Sequence, residues 1–185
     1  ATGIVAILLF LSGWILETSR EQRIDLHHIA RSSESKLHAV ETTALQGAEK
    51  CLASGRREVL FSFFSTGNLS PQGITILVYN NNELIAWSGS DVSFVSIDKL
   101  LSEGKKFVHL PNGWYEVLEE EKAKLKVVIF ISVDSEYAYQ NKYLVNEFNP
   151  VLDIPRGISL AENGSKEFVR GSDGKNLFSI REAEN

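Results

Sequence analysis

The sequence predicts an α+β domain with an antiparallel sheet, set behind an N-terminal membrane helix. Three observations carry this reading. Residues 1–16 hold no charge and are dominated by Ile, Leu, Val and Phe. Residues 17–53 hold no proline and one glycine, Gly47. Beyond Gly73, short β-branched and aromatic runs alternate with Asn, Pro and Gly turn signals. Long helix, short helix, hairpin, small helix and then a meander is the order of an α+β fold.

Composition bounds the function. The 185 residues are 43% hydrophobic and 23% charged, which excludes a disordered tail, a collagen-like rod and a disulfide scaffold. Lys and Arg number 19 against 24 Asp and Glu, for a net charge of −5. An acidic chain with no basic stripe argues against nucleic-acid binding. Cys51 is the single cysteine, so an intrachain disulfide and a Cys-rich metal site are excluded. The chain starts at Ala1 and has no methionine, and it is expected to be processed or a piece of something longer.

The first element is the apolar run. Sixteen helical residues reach roughly 24 Å against a hydrocarbon core of about 30 Å. The expected element is a transmembrane helix lacking its first turn, with Trp14 near the interface. A cleaved secretory signal would need a small-x-small site, but the run continues Gly13, Trp14, Ile15, Leu16, Glu17. A soluble core helix would seldom be apolar on every face.

Residues 17–54 follow as one long helix, stalk first and domain helix second, with Gly55 as its stop. A line of mostly small residues runs through Leu26, Ala30, Ser33, Leu37, Val40 and Ala44, then Gly47 and Cys51. Its steps alternate four and three, the spacing of a heptad seam between two copies. The alternative is an ordinary amphipathic core helix. His27, His28 and His38 lack the i, i+4 spacing of a zinc helix.

The compact part, residues 55–150, opens with a short helix near Arg57–Ser65. Ile74–Tyr79 and Glu83–Trp87 read as a hairpin around Asn80, Asn81 and Asn82. A short helix is expected at Asp98–Glu103. Lys106–Leu110 reads as a strand closed by the Pro111-Asn112-Gly113 turn. Trp114–Glu119 and Leu125–Val133 read as a second hairpin. Leu125–Val133 is apolar on both faces, which places it at the centre of the sheet. In residues 151–185, strand-like pieces recur at Ile158–Leu160, Glu167–Val169 and Leu177–Ile180, with turns at Asn163-Gly164 and Asp173-Gly174.

The sequence offers no active-site motif: no phosphate loop, no nucleophile elbow and no zinc helix. Glu116, Glu119, Glu120 and Glu121 beside Lys122, Lys124 and Lys126 read as a solvated hairpin tip, with a cation site as the alternative. Tyr79, Trp87, Trp114, Tyr137 and Tyr139 carry an apolar body and a polar handle. Such side chains can line a small-molecule pocket, or serve as core and edge residues.

Four segments carry a family resemblance: Gly73–Asn80, Leu84–Ser88, Leu110–Tyr115 and, most specifically, Tyr139–Phe148. Together they resemble the extracytoplasmic sensor region of membrane-bound two-component histidine kinases of the Bacteroidetes type. The resemblance implies a PAS-like or Cache-like domain, with a long N-terminal helix against an antiparallel sheet. It also implies residence in a bacterial inner membrane with residues 17–185 in the periplasm, homodimerisation, and a small-molecule or protein signal. A second transmembrane helix, the kinase with its ATP and Mg, and the cognate response regulator would belong beyond residue 185. No phosphoacceptor context surrounds His27, His28, His38 or His109, so the resemblance carries over no catalytic residue and no cofactor to this chain. The other reading is a singly anchored periplasmic binding or interaction protein without a kinase, and a third is an anchored hydrolase with an unrecognised site.

Overall fold

The computed structural model describes residues 24–90, 92, 104–161 and 165–183. The expected membrane helix 1–16, stalk residues 17–23, the short helix at Asp98–Glu103 and the Asn163-Gly164 turn lie outside the described residues. Among the described residues no helix is long and apolar enough to cross a membrane.

Helix α1 spans Leu26–Ser54. Ile24 and Asp25 are not helical, so the helix is not continuous across these two residues as expected. Asp25 is the reason: its carboxylate accepts the His28 N–H at 3.0 Å, which satisfies one of the free donors of a first turn. At the other end Gly55 adopts φ 59° and donates to the Cys51 carbonyl at 3.0 Å, a left-handed stop that glycine adopts without strain. Helix α2, Arg57–Thr66, follows at once and buries Leu60.

Five strands form the main sheet: β1 (Ile74–Asn80), β2 (Glu83–Trp87), β3 (Phe107–Leu110), β4 (Gly113–Lys122) and β5 (Leu125–Ser135). Their order is β2-β1-β5-β4-β3, antiparallel throughout. The strand that is apolar on both faces, β5, holds the centre. Asn81 and Asn82 make the first hairpin turn at φ 49° and 66°, values that Asn tolerates better than most residues. The second hairpin is tighter than expected. Glu120, Glu121 and Lys122 stay in β4, and Ala123-Lys124 alone make the turn. A smaller sheet has the order β6-β8-β7, from β6 (Ile158–Leu160), β7 (Phe168–Arg170) and β8 (Asn176–Glu182).

Two cores lie on opposite faces of the main sheet. On one face Leu37, Val40, Ala44 and Ala48 of α1 pack against Ile76, Val78, Ile129 and Ile131. The small sheet adds Val169, Phe178 and Ile180 to that core. On the other face Leu77, Val108, Tyr115, Val117, Val128 and Phe130 form a second cluster. Ala30, Ser33, Leu37, Val40 and Ala44 of the expected dimer seam are all buried within the chain, and Leu26 packs partly against the same core. From Ala30 to Ala44 the heptad spacing therefore serves the chain's own sheet.

The small sheet straps the first half of α1. His27 Nδ1 lies 3.0 Å from Glu167 Oε2, Arg31 Nη2 donates to Phe168 O at 3.3 Å, and His38 Nε2 lies 3.0 Å from Arg170 O. Thus β7 runs alongside α1 in the same direction, and β8 returns antiparallel to both. Ile180 N donates to Glu167 O at 3.0 Å, so the last strand ends beside the first turn of α1. At the opposite end Gly55 touches Leu125, the first residue of β5.

Candidate functional site

The β3–β4 pairing sets Phe107 opposite Glu116 and His109 opposite Trp114. This register stacks a ladder of rings across the edge of the main sheet. His109 and Trp114 lie 4.5 Å apart, Trp114 and Phe107 5.1 Å, and Phe107 and Phe178 of the small sheet 5.4 Å, all near parallel. Glu136 fixes the outer end: Trp114 Nε1 donates to its Oε1 at 3.0 Å, and His109 Nε2 lies 2.8 Å from its Oε2. Beside the ladder a half-open cavity of about 310 Å³ is walled by Phe107, Trp114, Leu160, Phe168, Leu177 and Phe178. Asn176 and Ser179 are polar groups on its lining. The cavity can take a small, largely apolar or aromatic group by burial and ring contact.

Of the five expected ligand aromatics, Trp114 lines this cavity. Tyr79 packs against the cluster on the opposite face of the main sheet. Trp87 stands on β2, 43% exposed, edge-on to Phe61 of α2 at 6.2 Å. Tyr137 donates its backbone N–H to Asn146 Oδ1 at 2.7 Å, and Tyr139 is 75% exposed in the loop after β5. The structure does not bring these five side chains to one place.

Next to the groove, where α1 crosses β4, three acids converge on Gly171. A Cβ placed there would meet Glu41 Oε1 and Glu116 Oε1 at 3.3 Å each and Asp173 Oδ1 at 3.4 Å. Glu41 and Glu116 are almost wholly buried. The Ser172 N–H reaches both oxygens of Glu41, at 3.0 and 3.1 Å. Burial, the hydrogen bond to Glu41 and the negative charges of Glu41 and Asp173 push the Glu116 acid up to about 9, while Lys106 pulls it the other way. At neutral pH Glu116 therefore carries a proton and can donate it to the Glu41 carboxylate. Glu116 Oε2 has no hydrogen-bond partner among the described residues.

Glu116 corrects the sequence reading of a solvated acidic tip. It shares the α1 face of β4 with Leu118, because it pairs with Ile131 while Leu118 pairs with Ile129. Glu120 and Glu121 are exposed, and Glu119 pairs with Lys126 at 2.6 Å. Among the described residues no group of three His, Cys, Asp or Glu side chains is arranged to hold a metal ion. The signal that marks Glu116 is the period-two alternation Trp114, Glu116, Leu118; the one that marks Glu41 is its place beside Val40 on the apolar seam.

The remaining reactive groups are placed as structural contacts. His27 and His38 bind α1 to the small sheet as described. Cys51 is buried, and burial pushes its thiol up to about 11. No family model, curated protein or solved structure matches the chain.

Proposed function

We propose that the chain is the extracytoplasmic input module of a membrane-bound sensor histidine kinase, a PAS-like or Cache-like domain. It would detect an envelope or extracellular signal and pass it through membrane helices to a cytoplasmic kinase and its response regulator. The observation that carries the reading is the placement of the start of α1 and the end of β8. The first turn of α1 and the last residues of β8 stand side by side, linked through Glu167 to His27 and Ile180. A chain that enters and leaves at one end suits a domain held between two membrane spans. The uncharged run 1–16, directly upstream, suits the first of them.

The strapped helix supports a mechanism. A ligand in the groove would press on Phe178 of β8 and Phe168 of β7, which line it. Both strands belong to the sheet fastened to α1 at His38, Glu41 and Arg31. A small displacement of that sheet would shift or tilt α1 towards the membrane. Homodimerisation is part of the proposal, through membrane helices and the polar outer face of α1 at Ser35, Thr42 and Gln46, which are exposed.

Sequencing the encoding DNA past the codon for Asn185 tests the proposal. The expected result is a second apolar span, then a dimerisation helix with a phosphoacceptor histidine and an ATPase domain. A stop codon within a few residues would sink the kinase and leave a singly anchored binding protein.

A further inference from the structure

The loop between β5 and the Asn149 bend is built to present apolar side chains. Its own polar groups hold it in shape. Asn146 Oδ1 accepts the Tyr137 N–H, Asn141 Oδ1 accepts those of Tyr143 and Leu144 at 2.8 and 3.0 Å, and Gln140 Oε1 accepts that of Asn146 at 3.2 Å. Yet Tyr139 is 75% exposed, Tyr143 80%, Val145 42% and Leu144 36%. Lys142 Nζ lies 4.7 Å from the centre of the Tyr143 ring. A loop ordered internally gains nothing for its fold by turning four large apolar side chains to water.

Its position says what covers them. Strand β5 starts beside Gly55 at the far end of α1, so the loop leaves the sheet towards the first turn of α1. Val145 shares a cavity of about 510 Å³ with Gly157 and Ile158. Gly157 O accepts the Ala183 N–H at 2.7 Å, and Ile158 pairs with Glu182. The loop therefore stands at the end of the molecule where the last strand finishes and α1 begins. In the sequence the uncharged run 1–16 precedes α1, with residues 17–23 between it and Ile24. Tyrosine with flanking lysine and aliphatic side chains is the composition that settles at the boundary between headgroups and acyl chains.

We propose that residues 139–145 form a membrane-interface contact. Tyr139, Tyr143 and Leu144 enter the headgroup region of the bilayer that holds residues 1–16, and so set the tilt of the domain on the membrane. This rests on the membrane attachment argued above. The occupant is a lipid surface, not a second protein.

A nitroxide label reports the contact in the full chain reconstituted into phosphatidylethanolamine–phosphatidylglycerol vesicles. Lys142→Cys places the label in the loop, and Glu121→Cys places a reference at the far β4–β5 hairpin. Buried Cys51, with its thiol pushed up to about 11, does not compete for the reagent. The expected result is a several-fold higher ratio of oxygen to nickel-complex collisions at 142 than at 121. Equal, water-like ratios at both sites in protein that floats with the vesicles would overturn the loop contact and leave the anchor standing. Protein that fails to float would overturn the anchor, and the loop contact with it.

Discussion

Glu41 of α1 and Glu116 of β4 are buried acids joined by a hydrogen bond at the point where the long helix crosses the main sheet, and the Glu116 acid is pushed up to about 9 there. Ser172, at the β7–β8 turn, donates its N–H to the same Glu41 carboxylate. Helix, main sheet and small sheet thus meet at one carboxylate. Whatever changes the charge there changes how the three fit together.

The first expectation is a pH dependence. Glu116 titrates near 9 in the folded chain against an ordinary value of 4.5. Between those two values the folded state holds a proton that the unfolded state has lost, so stability falls as pH rises through this window. The slope approaches about 1.4 kcal/mol per pH unit for one proton. Glu116→Gln keeps a donor for Glu41 and removes the titration. In urea unfolding from pH 5 to 9 the variant should show a flatter profile and greater stability than the parent at pH 8. A parallel profile offset downwards at every pH would contradict the raised Glu116 acid.

A second expectation concerns Asp134, which pairs with Trp114 across β4 and β5. Burial and then the Glu136 charge push its acid up to about 6, while a hydrogen bond from the Ser135 backbone opposes them. Glu136→Gln removes the charge and leaves the burial. The Asp134 midpoint, followed by carboxyl carbon NMR, should fall but stay above the ordinary carboxylate range. No movement would mean that the two acids do not sense one another.

The buried seam gives a third expectation. Leu37 is fully buried against the sheet, so Leu37→Ala should cost about 2–5 kcal/mol in unfolding free energy. Thr42 lies on the outer face, and its hydroxyl donates to His38 O of its own helix at 2.8 Å. Thr42→Ala should stay within about 0.5 kcal/mol. Equal effects would mean that the seam faces something other than this chain's core.

Gly113 supplies the fourth. It holds φ 144°, and a Cβ there would sit 2.1 Å from the Asp134 carbonyl oxygen. The obstruction is backbone in the central strand, which cannot turn aside. Gly113→Ala should cost about 1–3 kcal/mol or more and loosen the β3–β4 pair, which also seats Trp114. A lowered thermal midpoint together with a red-shifted tryptophan emission would register both effects; an unchanged midpoint would show that the turn has slack.

Much of this fold is legible from period and punctuation. Glu83–Trp87 and Ile158–Leu160 fall where alternation and turn residues put them, and β5 takes the centre because its two faces are equally apolar. The helix seam is legible as a seam, but spacing alone does not say whether a second helix or a sheet meets it. Burial of Ala30, Leu37 and Ala44 on β1 and β5 answers that. The site is less legible. Glu116 looks like one acid among four neighbours until strand register turns it inward. The groove brings Phe107 to Phe178 across 71 positions of chain, and no local pattern announces a contact of that range. Ring chemistry does not separate Trp114 from the other four expected aromatics, which differ from it in strand face and exposure.

The neighbouring ends of α1 and β8 have a mechanical consequence. Because β8 runs back towards the start of α1, tension drawn between the two ends would load its hydrogen bonds to β6 and β7 one after another, from Glu182 inwards. Bonds loaded in sequence yield at far lower force than bonds loaded together. The small sheet would therefore peel from α1 first, while β1 to β5, none of which lies at the pulled end of the chain, would stay folded.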